Sequence, residues 1–75
     1  MLTSDLIETL RRELPPTFAR TEVSALTGKV VHSRTLANLM SLGQGPEGTF
    51  RLGRKVILAR EPFLAWLSKK LSPLD

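Results

Sequence analysis

The residues with the clearest chemistry are cations. Arg51, Arg54 and Lys55 fall within the nine-residue stretch Phe50-Arg51-Leu52-Gly53-Arg54-Lys55-Val56-Ile57-Leu58, and Lys29 and Arg34 lie shortly before it. Guanidinium and ammonium groups spaced like this suit the phosphates of a polyanion. Ser33, Thr35 and Asn38 stand among them, with hydroxyl and amide groups suited to phosphate oxygens and base edges. The chain carries a net charge of +4, unevenly spread. Residues 1–27 hold three basic and four acidic groups, a balance of −1. Residues 28–60 hold six basic groups (Lys29, Arg34, Arg51, Arg54, Lys55, Arg60) against Glu47 alone, a balance of +5. Residues 61–75 are neutral overall. The excess therefore coincides with the polar motif, and an anion-binding face is expected there.

Other chemistries lack their residues. The chain has no cysteine and only one histidine, His32, so thiolate metal sites, disulfides and a Cys–His pair are excluded. Its serines and threonines sit in no recognisable nucleophile–base arrangement. Gly43-Gln44-Gly45 is followed by Pro46 rather than by a helix, unlike a phosphate-binding loop. No enzyme, cofactor, metal or small-molecule substrate is expected. No apolar run approaches the roughly 20 residues of a membrane span. The start Met1-Leu2-Thr3-Ser4-Asp5 lacks the basic and apolar regions of a signal peptide. A cytoplasmic protein without membrane contact is expected.

The positioning elements follow from periodicity. At 75 residues one domain is expected, 1–75, with a small core. Leu2, Leu6, Leu10 and Leu14, with Ile7, predict a helix over 5–14, capped by Ser4 and ended by Pro15-Pro16. Thr17-Phe18 reads as extended. A second helix is expected from about Arg20 to Thr27, with Val23 and Leu26 inward and Gly28 as its left-handed stop. One valine of Lys29-Val30-Val31-His32 is expected to plug the core. Ser33 reads as the N-cap of a third helix, Arg34 to about Leu42, ended by Gly43. Leu36, Leu39 and Met40 form its inner face and Arg34, Thr35, Asn38 and Ser41 its outer one.

Residues 50–58 read as a hairpin. A three-residue loop, Gly53-Arg54-Lys55, puts Phe50, Leu52, Val56 and Leu58 on one face, with Arg51 pointing away. A two-residue Gly53-Arg54 loop puts Lys55 beside Leu52 and Val56 opposite Arg51. The apolar match favours the longer loop, although a three-residue loop prefers its left-handed residue late and Gly53 is early. A closing helix is expected from Glu61-Pro62, with Phe63, Leu67 and Leu71 toward the core and Trp66 structural. Leu64 and Leu71 are left as an apolar edge, and Pro73 ends the fold. The fold class is α+β, mostly helical: a small winged helix-turn-helix with a two- or three-stranded β wing and an extra N-terminal helix.

Five segments in this order carry a resemblance: Thr21 to Gly28, Ser33-Arg34-Thr35-Leu36-Ala37-Asn38-Leu39, Gly43-Gln44-Gly45-Pro46, Phe50 to Val56 and Phe63-Leu64-Ala65-Trp66-Leu67. Over about residues 17–70 the chain resembles the excisionase and AlpA-type helix-turn-helix family of phages and mobile elements. The resemblance implies a MerR-like winged fold that binds double-stranded DNA without a cofactor. Such a protein serves as a recombination directionality factor beside an integrase, or as a small regulator of transcription. It implies a groove-facing helix with Arg34, Thr35 and Asn38, a wing with Arg51, Arg54 and Lys55, and several copies bound side by side. Lys29 and Ser33 would then hold phosphates at the helix start. The turn from Gly28 to Ser33 is longer than the family's shortest form, and the helix 5–14 lies outside the shared core. The alternative is a protein-interaction module that docks through the Leu2-Leu6-Leu10-Leu14 stripe.

Overall fold

The leucine spacing of the N-terminal segment makes a helix in the computed structural model, which describes residues 3–72. This helix, α1, spans Thr3–Glu13, so Ser4 lies inside its first turn and does not cap it. Ile7, Leu10 and Leu14 are buried, and Leu6 packs at the margin of the core. Each such side chain taken out of water contributes about 1.5–3 kcal/mol. Leu2 and Pro73 lie outside the described residues. The rest of the stripe is spent inside the chain, against the closing helix.

After Pro15-Pro16 the extended segment is a strand, β1 (Thr17–Ala19). The expected single helix from Arg20 to Thr27 divides into a 3-10 turn, Arg20–Glu22, and one α turn, α2 (Val23–Leu26). Ala19 precedes it with no side-chain cap, and a 3-10 turn at the start of a helix is a common arrangement. Helix α3 covers Ser33–Ser41. Strands β2 (Thr49–Leu52) and β3 (Lys55–Ala59) follow, and α4 (Arg60–Lys70) closes the chain. Strand β3 lies at the centre of an antiparallel sheet of order β1-β3-β2. The result is a small α+β fold of helices and a three-stranded sheet.

The hairpin register corrects the favoured expectation. Arg51 pairs with Val56 and Leu52 with Lys55, so the loop is the two residues Gly53-Arg54. Gly53 has φ +61, while Arg54 stays at negative φ. Glycine first at positive φ is what a type II′ turn requires, and such turns suit the twist of a two-residue hairpin. Alternation then puts Phe18, Val56, Leu58 and Arg51 on the inner face of the sheet. Phe50 and Leu52 go to the outer face and are 63% and 71% exposed.

One core unites these elements. Val23, Leu36, Leu58, Phe63 and Leu64 are fully buried, with Phe18, Val31 and Leu67 around them. The Phe18 ring meets Phe63 edge-on at 5.3 Å between centroids. Leu64, expected on a free edge, is therefore core, and Leu71 is half-buried against it. The chain crosses from α1 to β1 under a brace from α4. The Arg60 N–H donates to the Pro16 carbonyl at 2.9 Å, and its guanidinium donates to the Leu14 carbonyl at 3.3 Å.

Candidate nucleic-acid interface

The junction of α2 and α3 is built by three polar devices. The Lys29 N–H donates to the Ser24 carbonyl at 2.7 Å and the Gly28 N–H to the Ala25 carbonyl at 3.3 Å. That pair of bonds is a Schellman motif, with Gly28 at φ +63 as its left-handed residue. Lys29 also has positive φ, +67, an unusual conformation for a residue with a side chain. Thr27 is buried. Its hydroxyl donates to the Val23 carbonyl at 2.6 Å and accepts from the Val31 N–H at 3.1 Å. That bond sets Val31 into the core and leaves Val30 48% exposed. Finally, the Ser33 N–H donates to the Ser24 hydroxyl at 3.1 Å. Ser33 is thus the first helical residue, and the cap position belongs to His32, whose side chain makes no capping bond.

Helix α3 hangs from this junction by Leu36, which is fully buried, and by the half-buried Leu39 and Met40. Arg34, Thr35, Asn38 and Ser41 are exposed, as their spacing predicts. A second Schellman motif ends α3: the Gln44 N–H reaches the Leu39 carbonyl at 2.8 Å and the Gly43 N–H the Met40 carbonyl at 3.0 Å. The loop that carries the chain to β2 is anchored on both sides. A side chain at Gly45 would place its Cβ 2.4 Å from Met40 Cγ, so the backbone there lies directly on α3. On the other side the Trp66 indole N–H donates to the Gln44 carbonyl at 2.8 Å. Trp66 is half-buried, 5.8 Å from Phe63 between ring centroids, with Lys70 over its face. It is a strut at the edge of the core that fixes how the hairpin leaves α3.

The hairpin displays its cations on different sides. Arg54 sits in the turn, Lys55 on the outer face beside Leu52, and Arg51 on the inner face beside Val56. Only Arg51 of these shares a groove with α3. That groove, about 390 Å³, lies between Ala37, Met40 and Ser41 of α3 and Thr49, Phe50, Arg51 and Val56 of the hairpin. Arg20, at the start of the 3-10 turn, completes it, with Nη1 3.8 Å from Met40 Sδ. Arg20 was not among the expected contact residues. Its place in the groove comes from the tertiary packing of the 3-10 turn on α3, which no local pattern reveals.

The ion pairs sharpen the charge separation. Arg11 pairs with Glu8 and, at 3.1 Å, with Glu61, and Arg60 pairs with Glu61 at 3.0 Å. All of these groups belong to α1 and α4. Arg60 is accordingly not part of the basic face that its sequence position suggests. Partial desolvation pushes the Glu61 carboxyl up, but hydrogen bonds and charge from Arg60 and Arg11 outweigh it and hold the pKa below the ordinary value. Among the described residues, Lys29, Arg34, Arg51, Arg54 and Lys55 are exposed and form no ion pair. No helix among the described residues is long and apolar enough to cross a membrane. Comparison of the chain with protein-family models, with curated proteins and with solved structures finds no match.

Proposed function

We propose that this protein binds double-stranded DNA, with α3 entering the major groove and the β2–β3 hairpin serving as a wing on the flanking backbone. The observation that carries this reading is the segregation of charge. Five exposed cations without an ion pair stand on the α2–α3 turn, on α3 and on the hairpin, against three (Arg12, Lys69 and Lys70) on α1 and α4, where every carboxylate ion pair among the described residues lies. A polyanion supplies the missing counter-charge. Exposed Arg34 suits the acceptors of guanine and Asn38 the donor and acceptor of adenine. Lys29 and Ser33 stand where a backbone phosphate meets the start of a helix.

The helix pair joined by a tight turn, then the hairpin and closing helix, supports a winged helix-turn-helix reading. With the resemblance noted in the sequence, this favours a phage or mobile-element excisionase, or a small transcriptional regulator of that kind, acting in the cytoplasm beside an integrase. The protein-interaction alternative has less of the Leu2-Leu6-Leu10-Leu14 stripe to dock through, because Leu10 and Leu14 are buried in the chain's own core and Leu6 is half-buried. Leu64, expected on an apolar edge, is buried and offers no surface to an adjacent copy. The test is direct. The protein is titrated onto labelled mixed-sequence duplex DNA and followed by anisotropy, beside an Arg34→Glu/Arg54→Glu variant. Saturable binding that the double reversal abolishes is expected. Binding that survives it would refute the proposed face.

A further inference from the structure

From the groove between α3 and the hairpin we infer a phosphate-backbone site: it seats one DNA strand, with Arg20 and Arg51 as its two cations. The inference rests on the DNA-binding reading above and assigns a residue, Arg20, and a path for the strand. The groove is open to solvent and, at about 390 Å³, has room for a backbone phosphate. No acidic side chain lines it, and neither arginine has a carboxylate partner among the described residues. The floor is apolar, from Ala37, Met40 and Val56, which suits a deoxyribose edge. The small side chain of Ala37 leaves the gap open, and the inward turn of Arg51 follows from the two-residue hairpin loop.

Geometry favours the backbone over a base. The major and minor grooves of a duplex are separated by a sugar–phosphate ridge. With α3 in the major groove and the hairpin on the flanking backbone, as proposed above, the ridge between them runs along this groove. Arg20 is held half-buried at one wall beside Met40, so its guanidinium is partly ordered before binding. That reduces the entropy lost when it meets a phosphate.

The experiment measures duplex affinity of the full chain by anisotropy across about 50–200 mM salt. Arg20→Met removes the charge and keeps an apolar chain beside Met40, and Ala37→Leu fills the groove without altering charge. Arg12→Ala, an exposed cation on α1, is the control. Arg20→Met is expected to weaken binding about three- to tenfold at about 100 mM salt and to flatten the salt slope by about 0.9, one phosphate's worth. Ala37→Leu should weaken binding by a similar factor and flatten the slope likewise, because the excluded phosphate is no longer neutralised, and Arg12→Ala should do neither. Circular dichroism confirms folding, and if Arg20→Met fails to fold, the exposed Arg51→Gln carries the same expectation. Wild-type affinity in both groove variants, with Arg34→Ala impaired, would overturn the groove and leave DNA binding standing. No binding by the wild type would overturn DNA binding itself. Tighter binding to an RNA duplex, or displacement by inorganic phosphate at matched ionic strength, would overturn the assignment to a DNA strand.

Discussion

On the proposed DNA reading, Arg34 and Asn38 differ from Arg54 in what they would contact. They sit on an ordered helix, where a side chain has a fixed approach to a base edge, whereas Arg54 sits in a two-residue turn. A bidentate base contact discriminates by about 1–3 kcal/mol. Arg34→Ala or Asn38→Ala should therefore reduce the preference for a selected site over random DNA by that amount. Arg54→Ala should weaken both alike. Competition titrations with the two DNAs check this, and loss of specificity alone in Arg54→Ala would reverse the roles. A second residue-scale prediction concerns Thr27, whose buried hydroxyl serves the Val31 N–H. Thr27→Val strands that N–H and should cost about 1–3 kcal/mol in denaturant unfolding, while Thr27→Ser should retain most of the stability. At this scale the sequence was informative where chemistry is local. Exposed Arg34, Thr35 and Asn38 follow from helical spacing, and Gly28 from its left-handed conformation. Arg20 was not legible, because its role depends on which elements pack together. Nor was Arg60: its ion-pair partner Glu61 is the next residue, but its guanidinium is also held by the Leu14 carbonyl, which only the fold brings near.

The elements show the same division. Helices α1, α3 and α4 were legible within two residues at their starts, because stripes of leucine and phenylalanine have only one way to face a core. The hairpin was legible as a hairpin but not in register. Phe50, Leu52, Val56, Ile57 and Leu58 are all apolar, so pattern alone admits two pairings that differ by which face each side chain takes. Turn chemistry decided it: Gly53 at positive φ fits the first position of a two-residue loop. The register has a measurable consequence. Phe50→Ser and Leu52→Ser, on the exposed face, should each change stability by no more than about 0.5 kcal/mol. Leu58→Ala, on the buried face of the same hairpin, should cost about 2–5 kcal/mol. Chemical denaturation of the three variants settles the comparison, and a large loss in Leu52→Ser would restore the other register. Between elements, Glu61 joins α4 to α1 through Arg11. Its carboxyl titrates below the ordinary range in the folded chain, so the contribution is full above its unfolded pKa of about 4.3 and is lost as pH falls through the folded value. The stability gap between wild type and Glu61→Gln should be constant near neutrality and close in acid. A gap that widened on acidification would contradict the pairing.

On the scale of the whole molecule, the design is a separation of duties. One side holds the leucine stripe of α1, the buried face of α4 and the ion pairs, and keeps a small core together. The other holds five of the cations that form no ion pair among the described residues, on the α2–α3 turn, α3 and the hairpin, against three (Arg12, Lys69 and Lys70) on α1 and α4. This division was legible in the sequence as a charge shift between residues 1–27 and 28–60, and the fold refines it by withdrawing Arg60 and adding Arg20. The salt dependence of DNA binding tests it most directly. Each neutralised phosphate contributes about −0.9 to the slope of log affinity against log salt on duplex DNA. On the proposed reading Lys29, Arg51, Arg54 and Lys55, with Arg20, would meet roughly four to five phosphates, giving an expected slope of about −4. A slope near that value for the full chain on mixed-sequence duplex would match the charge segregation seen here. A flat dependence, or no saturable binding at low salt, would contradict it.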